Sequence, residues 1–162
     1  MINLDLETVD DIQNHLDNKK YIADRALSTS VFLSLKMNKP IFLEGEPGVG
    51  KTEIGKVLAK IMDTKLIRLQ CYEGLDVHNS IYEWNYSRQI LQIRMMEAEG
   101  QSDKEKISDE IFGSKFLIKR PLYQAIDYEG DSPPVLLIDE LDRADEEFEA
   151  FLLEILSDYQ IS

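Results

Sequence analysis

Gly45-Glu46-Pro47-Gly48-Val49-Gly50-Lys51-Thr52 reads G-x-x-x-x-G-K-T, and each part of that octet has its own physical job. Gly45, Gly48 and Gly50 can take backbone angles barred to residues with a Cβ. They let successive N–H groups curl into an anion-binding concavity. A helix that follows adds its free N–H groups and the positive end of its dipole. Lys51 supplies a charge for terminal phosphates, and the Thr52 hydroxyl suits a Mg²⁺ ligand. The flanks agree with this reading. Ile41-Phe42-Leu43 is a short apolar run that predicts a buried strand entering the loop. Ile54, Val57, Leu58 and Ile61 fall at helical spacing, so the loop opens a helix with one apolar face. Strand, phosphate loop and helix in that order imply nucleotide binding.

A second stretch completes the chemistry. Val135-Leu136-Leu137-Ile138-Asp139-Glu140 is four apolar residues followed by two carboxylates. An uninterrupted apolar run predicts a strand buried on both faces of a parallel sheet. Open α/β sheets bind ligands at the C-terminal ends of such strands. Asp139 is placed to hold Mg²⁺, directly or through water. Glu140 is placed to act as the base that polarises an attacking water, provided it lies within about 3 Å of it. Strands often end in solvated acids, so this motif is weak alone; paired with the upstream loop, it raises hydrolysis above binding.

Between and around these motifs the chain is less explicit. Residues 11–20 are polar and are expected to form a loosely structured lead-in, so the domain reading is a polar lead-in over 1–20 and a nucleotide-binding core over 21–162. Leu27, Val31 and Leu35 predict a helix over 21–37, broken at Asn38-Lys39-Pro40 because proline biases its predecessor away from helix. Leu66-Ile67-Arg68-Leu69 reads as a second strand. Residues 81–84 fit either a short strand or a helix start, and 88–98 fit a helix. Residues 99–109 are charged and Gly-marked, which suits a mobile loop. A further helix is expected to start near Arg120-Pro121. Phe148, Phe151, Leu152, Ile155 and Leu156 form a helical stripe that reads as core packing, and Asp145, Glu146 and Glu147 complement that helix's dipole.

Bulk composition narrows the function classes. The 162 residues suffice for one domain with a core. Net charge is −13, which repels nucleic-acid backbones and anionic membranes. Lys115, Lys119 and Arg120 are the nearest thing to a basic patch and read as a solvated face. No apolar stretch approaches the roughly 20 residues that span a bilayer. The acidic start, Met1 to Asp5, argues against export, and a single cysteine, Cys71, agrees with a reducing compartment. Together these favour a cytoplasmic protein.

Three stretches resemble MoxR-type AAA+ ATPases: residues 45–53, Leu69-Gln70-Cys71-Tyr72-Glu73-Gly74-Leu75-Asp76, and Leu137-Ile138-Asp139-Glu140-Leu141-Asp142-Arg143-Ala144-Asp145. The middle stretch, with Tyr82-Glu83-Trp84-Asn85-Tyr86, is similar to the branch associated with carbon monoxide dehydrogenase maturation. The resemblance covers about residues 20–162. Many members carry Asn where Asp142 stands. The family implies an α/β P-loop NTPase fold: a three-layer parallel sheet with flanking helices. It implies ATP and Mg²⁺ as cofactors, a homo-oligomeric ring (a hexamer), and remodelling or activation of a client, often a metalloenzyme. A partner with a von Willebrand A domain commonly assists.

Carried over by position, Gly45, Glu46, Pro47, Gly48, Val49, Gly50, Lys51, Thr52 and Glu53 bind nucleotide. Thr52 and Asp139 hold the metal, and Glu140 with Lys51 carries the catalysis. Tyr21 and Ile22 are similar to residues that pack on adenine, and core packing fits them equally. Gln70 lies where relatives keep a polar residue that restrains the catalytic Glu, or is a plain strand-end residue. Family members continue with a sensor strand, an arginine finger and a helical lid, none of which this sequence contains. The missing strand would lie between the first strand and the one ending at Asp139. The expectation is a partial core with little turnover of its own. A non-hydrolysing nucleotide-binding module and a nucleic-acid-acting AAA+ protein are the alternatives. A small-molecule kinase fits less well, since such kinases usually lack Asp-Glu followed by Arg-Ala.

Overall fold

The computed structural model describes residues 6–100 and 103–158. Residues 11–20 are not a loose lead-in. Helix α1, Val9–Asn18, occupies most of that stretch. Thr8 caps it: its hydroxyl accepts from Asp11 N, and the Asp11 carboxylate takes Thr8 N–H at 2.8 Å. That reciprocal cap satisfies two donors the helix start would leave orphaned. The Thr8 hydroxyl and N–H hold the Asp11 carboxyl below the usual carboxylate range. Ile12 and Leu16, one turn apart, are buried, and each such side chain contributes about 1.5–3 kcal/mol on leaving water.

Helix α2, Arg25–Met37, begins at an Asp24 cap and stops where Asn38 turns left-handed at φ 51°. Asparagine is among the few side chains that tolerate that geometry, so the break before Pro40 has a local cause. Helix α3, Lys51–Ile61, turns Ile54, Val57 and Ile61 onto Ile12, Leu16, Ala23 and Val31. Ile41 and Leu43 pack against this cluster. They do not form the expected strand, and Phe42 between them is 73% exposed. A strand exists through a hydrogen-bonded neighbour, and among the described residues no ladder reaches 41–43.

The sheet that does form pairs β1, Leu66–Gln70, with β4, Val135–Asp139, in parallel, Leu66 opposite Val135 through Gln70 opposite Asp139. Side chains alternate faces along a strand. On one face Leu137 meets α3, where a Cβ built on Gly55 would lie 3.3 Å from Leu137 Cδ1. That close approach of helix to sheet explains a glycine inside a helix, where it costs about 0.5–1 kcal/mol relative to alanine. On the other face Leu69, Leu136 and Ile138 join Leu122 of α7, Pro121–Ile126, and Phe148, Leu152 and Ile155 of α8, Glu146–Asp158. Helix, parallel strands and helices make three layers. The expectation that Val135–Asp139 is buried on both faces fails: every residue of β4 is half-buried, because β1 is its one ladder partner among the described residues.

Residues 77–119 build an annex. Helix α4, Val77–Ile81, runs into β2, Tyr82–Trp84, which pairs antiparallel with β3, Leu117–Lys119. Helix α5, Tyr86–Ala98, and helix α6, Lys104–Ile111, lie between. The charged stretch expected as a loop over 99–109 is thus helical from residue 104, capped by Asp103; residues 101 and 102 lie outside the described residues. Buried Gln89 donates to Ile111 O at 2.7 Å, and Trp84 meets Phe112 edge to face at 5.5 Å. Lys115, Lys119 and Arg120 pair with Glu110, Asp127 and Glu83. Those carboxylates neutralise the one basic cluster seen in the sequence.

Candidate nucleotide-binding site

The phosphate loop takes the backbone its glycines allow. Gly48 and Gly50 are left-handed, at φ 85° and 91°, and Gly45 lies at 152°. Gly50 is the N-cap of α3 and offers no side chain to the free N–H groups, so they stay available to an anion. Lys51 Nζ donates to Gly45 O at 2.5 Å and Glu46 O at 2.7 Å. Those bonds fold the lysine across its own loop, and phosphate oxygens would have to replace the two carbonyls. Pro47 and Val49 are exposed. Glu53, in the first turn of α3, pairs with Lys56 at 2.7 Å, the contact that holds the Glu53 carboxyl below its ordinary range.

Tyr21 arrives from the α1–α2 connection. Its hydroxyl donates to Gly50 O at 3.3 Å, and its ring lies 3.7 Å from where a Cβ on Gly50 would sit. Burial, helped by the charge of Glu53, pushes the Tyr21 phenol up. Tyr21 is also packed against the core cluster. Ile22, beside it, is 94% exposed.

The two motifs meet across the sheet. Thr52 Oγ1 donates to Asp139 Oδ2 at 3.1 Å and lies 3.3 Å from Oδ1, spanning 87 residues of sequence. Asp139 is the last residue of β4, and its carbonyl accepts from Cys71 N at 2.9 Å just beyond β1. Glu140 turns left-handed at φ 54°. That kink ends the strand, and the Glu140 carboxylate receives Arg143 Nη1 at 3.0 Å. The carboxylates of Asp139, Asp142 and Glu140 add to burial in pushing the Cys71 thiol up to about 11.

Two arginines in this arrangement were not legible as site residues. Arg68 Nη2 donates to Asp139 Oδ2 at 2.7 Å and to Gln70 Oε1 at 2.7 Å. Its one sequence signal is a charge between Ile67 and Leu69 in a strand that is otherwise apolar until Gln70. Arg143 holds Glu140. Gln70, read either as a restraint on Glu140 or as a plain strand-end residue, offers its side-chain Oε1 to Arg68, and its amide nitrogen lies 3.5 Å from Cys71 O.

A hydroxyl and a carboxylate drawn together are hard oxygen donors of the kind Mg²⁺ takes. That ion is usually bound by one or two carboxylates plus substrate phosphates rather than by a protein cage. Among the described residues no cluster of three or more His, Cys, Asp or Glu could hold a metal. Thr52 and Asp139 are oxygen donors of the kind such an ion takes when it arrives with a nucleotide.

A family described as AAA domain (dynein-related subfamily) matches residues 40–162. The chain belongs to this AAA family. The match starts just before the phosphate loop and takes in both motifs. AAA domains bind and hydrolyse ATP, typically with Mg²⁺, and generally assemble as rings. No solved structure matches the chain significantly. Among the described residues, no helix of this AAA domain is long and apolar enough to cross a membrane.

Proposed function

We propose that this AAA domain binds and hydrolyses ATP with Mg²⁺, as the motor of a MoxR-like ATPase that remodels or activates a client. The observation that carries this reading is the Thr52–Asp139 hydrogen bond, which brings the phosphate loop and the acidic strand end to one point. Gly45, Gly48 and Gly50 shape the loop. The N–H groups at the start of α3 and the Lys51 ammonium take the phosphates. Thr52 and Asp139 would hold the metal, which neutralises charge on the phosphates when bound. Glu140 accepts a proton from the attacking water as its oxygen bonds the γ-phosphorus and the bond to the β–γ bridging oxygen breaks, releasing ADP and phosphate. Glu140 must first leave Arg143, and the exposed pair, worth about 0.2–1 kcal/mol, is weak enough to break. The role of Tyr21 and Ile22 in this proposal is to pack on adenine. A ring of identical subunits, a von Willebrand A partner and a metalloenzyme client are the assembly that the three sequence stretches favour. A cytoplasmic setting agrees with the single, buried thiol.

The Glu140–Arg143 pair also favours a second reading, a nucleotide-dependent module that does not turn over. Steady-state ATPase and nucleotide affinity of the full chain against Glu140→Gln separate the two. The ATPase reading expects unchanged affinity and a rate lower by about 10²–10⁴-fold, the usual worth of a general base. Equal, near-zero rates would establish the switch module instead.

A further inference from the structure

The register that sets Gln70 opposite Asp139 also sets Arg68 opposite Leu137, so Arg68, Gln70 and Asp139 share one face of the sheet. On that face Asp139 Oδ2 accepts two donors, Arg68 Nη2 at 2.7 Å and Thr52 Oγ1 at 3.1 Å. The same guanidinium nitrogen bonds Gln70 Oε1 at 2.7 Å. Arg68 thus occupies an oxygen of the same carboxylate that, with Thr52, would hold a divalent ion. The other nearby cations are engaged elsewhere, Lys51 on loop carbonyls and Arg143 on Glu140.

We propose that Arg68 is a resident counter-cation for Asp139 that competes with the divalent ion for that carboxylate, and so sets how far Mg²⁺ strengthens nucleotide binding. This rests on the ATPase reading of the site. The physical reason is charge crowding. A guanidinium cannot relieve repulsion by losing a proton, so its charge opposes a second cation on the same carboxylate. The Arg68 side chain is half exposed while that of Asp139 is 19% exposed. The arginine can swing toward solvent, whereas the carboxylate is held in place. Gln70 Oε1 gives the guanidinium a neutral partner beside the carboxylate, which keeps it within reach for return once the ion leaves with product. Arg68 is a positioning residue: it acts on Asp139 and touches no reacting atom.

The test is the affinity of the full chain for a fluorescent ADP analogue, measured with saturating Mg²⁺ and with EDTA, for wild type and Arg68→Gln. The expected result is a ratio of EDTA to Mg²⁺ dissociation constants about fivefold larger in the variant. That factor is the upper end of what a partly exposed ion pair contributes. Mn²⁺ titration in the presence of ADP, followed by electron paramagnetic resonance, should show the same gain in metal affinity. An unchanged ratio would make Arg68 a stitch between β1 and β4 and overturn the proposal. Equal weakening in both buffers would make it a phosphate ligand and overturn it too. Should Arg68→Gln fail to fold by circular dichroism, Arg68→Lys keeps the charge but loses the planar fork. It should give a smaller rise in the ratio, and no rise refutes the idea. A wild type that binds no nucleotide would overturn the ATPase reading itself, whereas Mg²⁺-dependent binding with an unmoved ratio would overturn this inference alone.

Discussion

Replacing Gly50 by alanine isolates what the phosphate loop demands of its backbone. Gly50 sits at φ 91° and ψ 16° as the N-cap of α3, a left-handed geometry that costs an L-residue with a Cβ about 1–2 kcal/mol. Space is not the obstacle, since the nearest atom to an added Cβ is Tyr21 Cε2 at 3.7 Å, an ordinary van der Waals contact. The full cost is therefore conformational. For a chain of this size each kcal/mol lowers the melting temperature by about 2–4 °C, so Gly50→Ala should lower it by about 2–8 °C. The urea midpoint should fall with the slope unchanged. Gly50→Asn is the decisive companion. Asparagine is larger than alanine yet tolerates left-handed angles better, so it should lose less stability than alanine. Were contact with Tyr21 the limit, the order would invert. An alanine variant within about 0.5 kcal/mol of wild type, the range of a neutral surface change, or an asparagine variant worse than alanine, would refute this account of the loop.

Two further perturbations probe the other layer of the sheet. Phe148 is 1% exposed amid Leu69, Leu122 and Leu152, so Phe148→Ala should cost about 3–5 kcal/mol in urea unfolding, a large share of the 5–15 kcal/mol typical of a domain. The Cys71 thiol titrates at about 11 rather than its ordinary 9.0. The folded state thus keeps a proton that the unfolded state loses first; the stabilisation is fully present below pH 9 and declines as pH rises from there toward 11. Urea midpoints across that window should fall more steeply for wild type than for Cys71→Ala, and parallel slopes would contradict the burial of the thiol.

The sequence was most legible where one pattern had one physical outcome. Ile54, Val57 and Ile61 specify a helix face, and the glycines of the loop specify its turn, so α3 and the loop that opens it stand where expected. Residues 66–69, 135–138 and the stripe from Phe148 to Leu156 likewise became β1, β4 and α8. Local capping chemistry was harder to see. Thr8 and Asp11 start α1, whose Val9, Ile12 and Leu16 keep helical spacing among polar neighbours, and Asp103 starts α6, where Ile107 and Ile111 alone mark a face. Neighbour-dependent features were hidden altogether. Ile41-Phe42-Leu43 has strand composition but no described ladder, and β4 is half-buried for want of a second one. The Arg68–Asp139 contact depends on the register between two strands, which neither strand's own sequence states.

The span between Thr52 and Asp139 has a consequence for how the chain assembles. The cluster of α1, α2 and α3 joins segments that follow one another closely, and local contacts of that kind form early because little loop entropy is lost in closing them. The β1–β4 ladder requires everything from 71 to 134 to be looped out first, and such non-local parallel pairing is intrinsically slow. During synthesis the phosphate loop and its helix emerge well before Asp139 exists as residue 87 beyond Thr52. The phosphate loop and its helix are thus expected to form early, and the end of β4, proposed above to serve metal and water, is expected to form late. Nucleotide present during refolding would meet the loop first, and would accelerate completion only to the extent that it also grips that late-forming strand end.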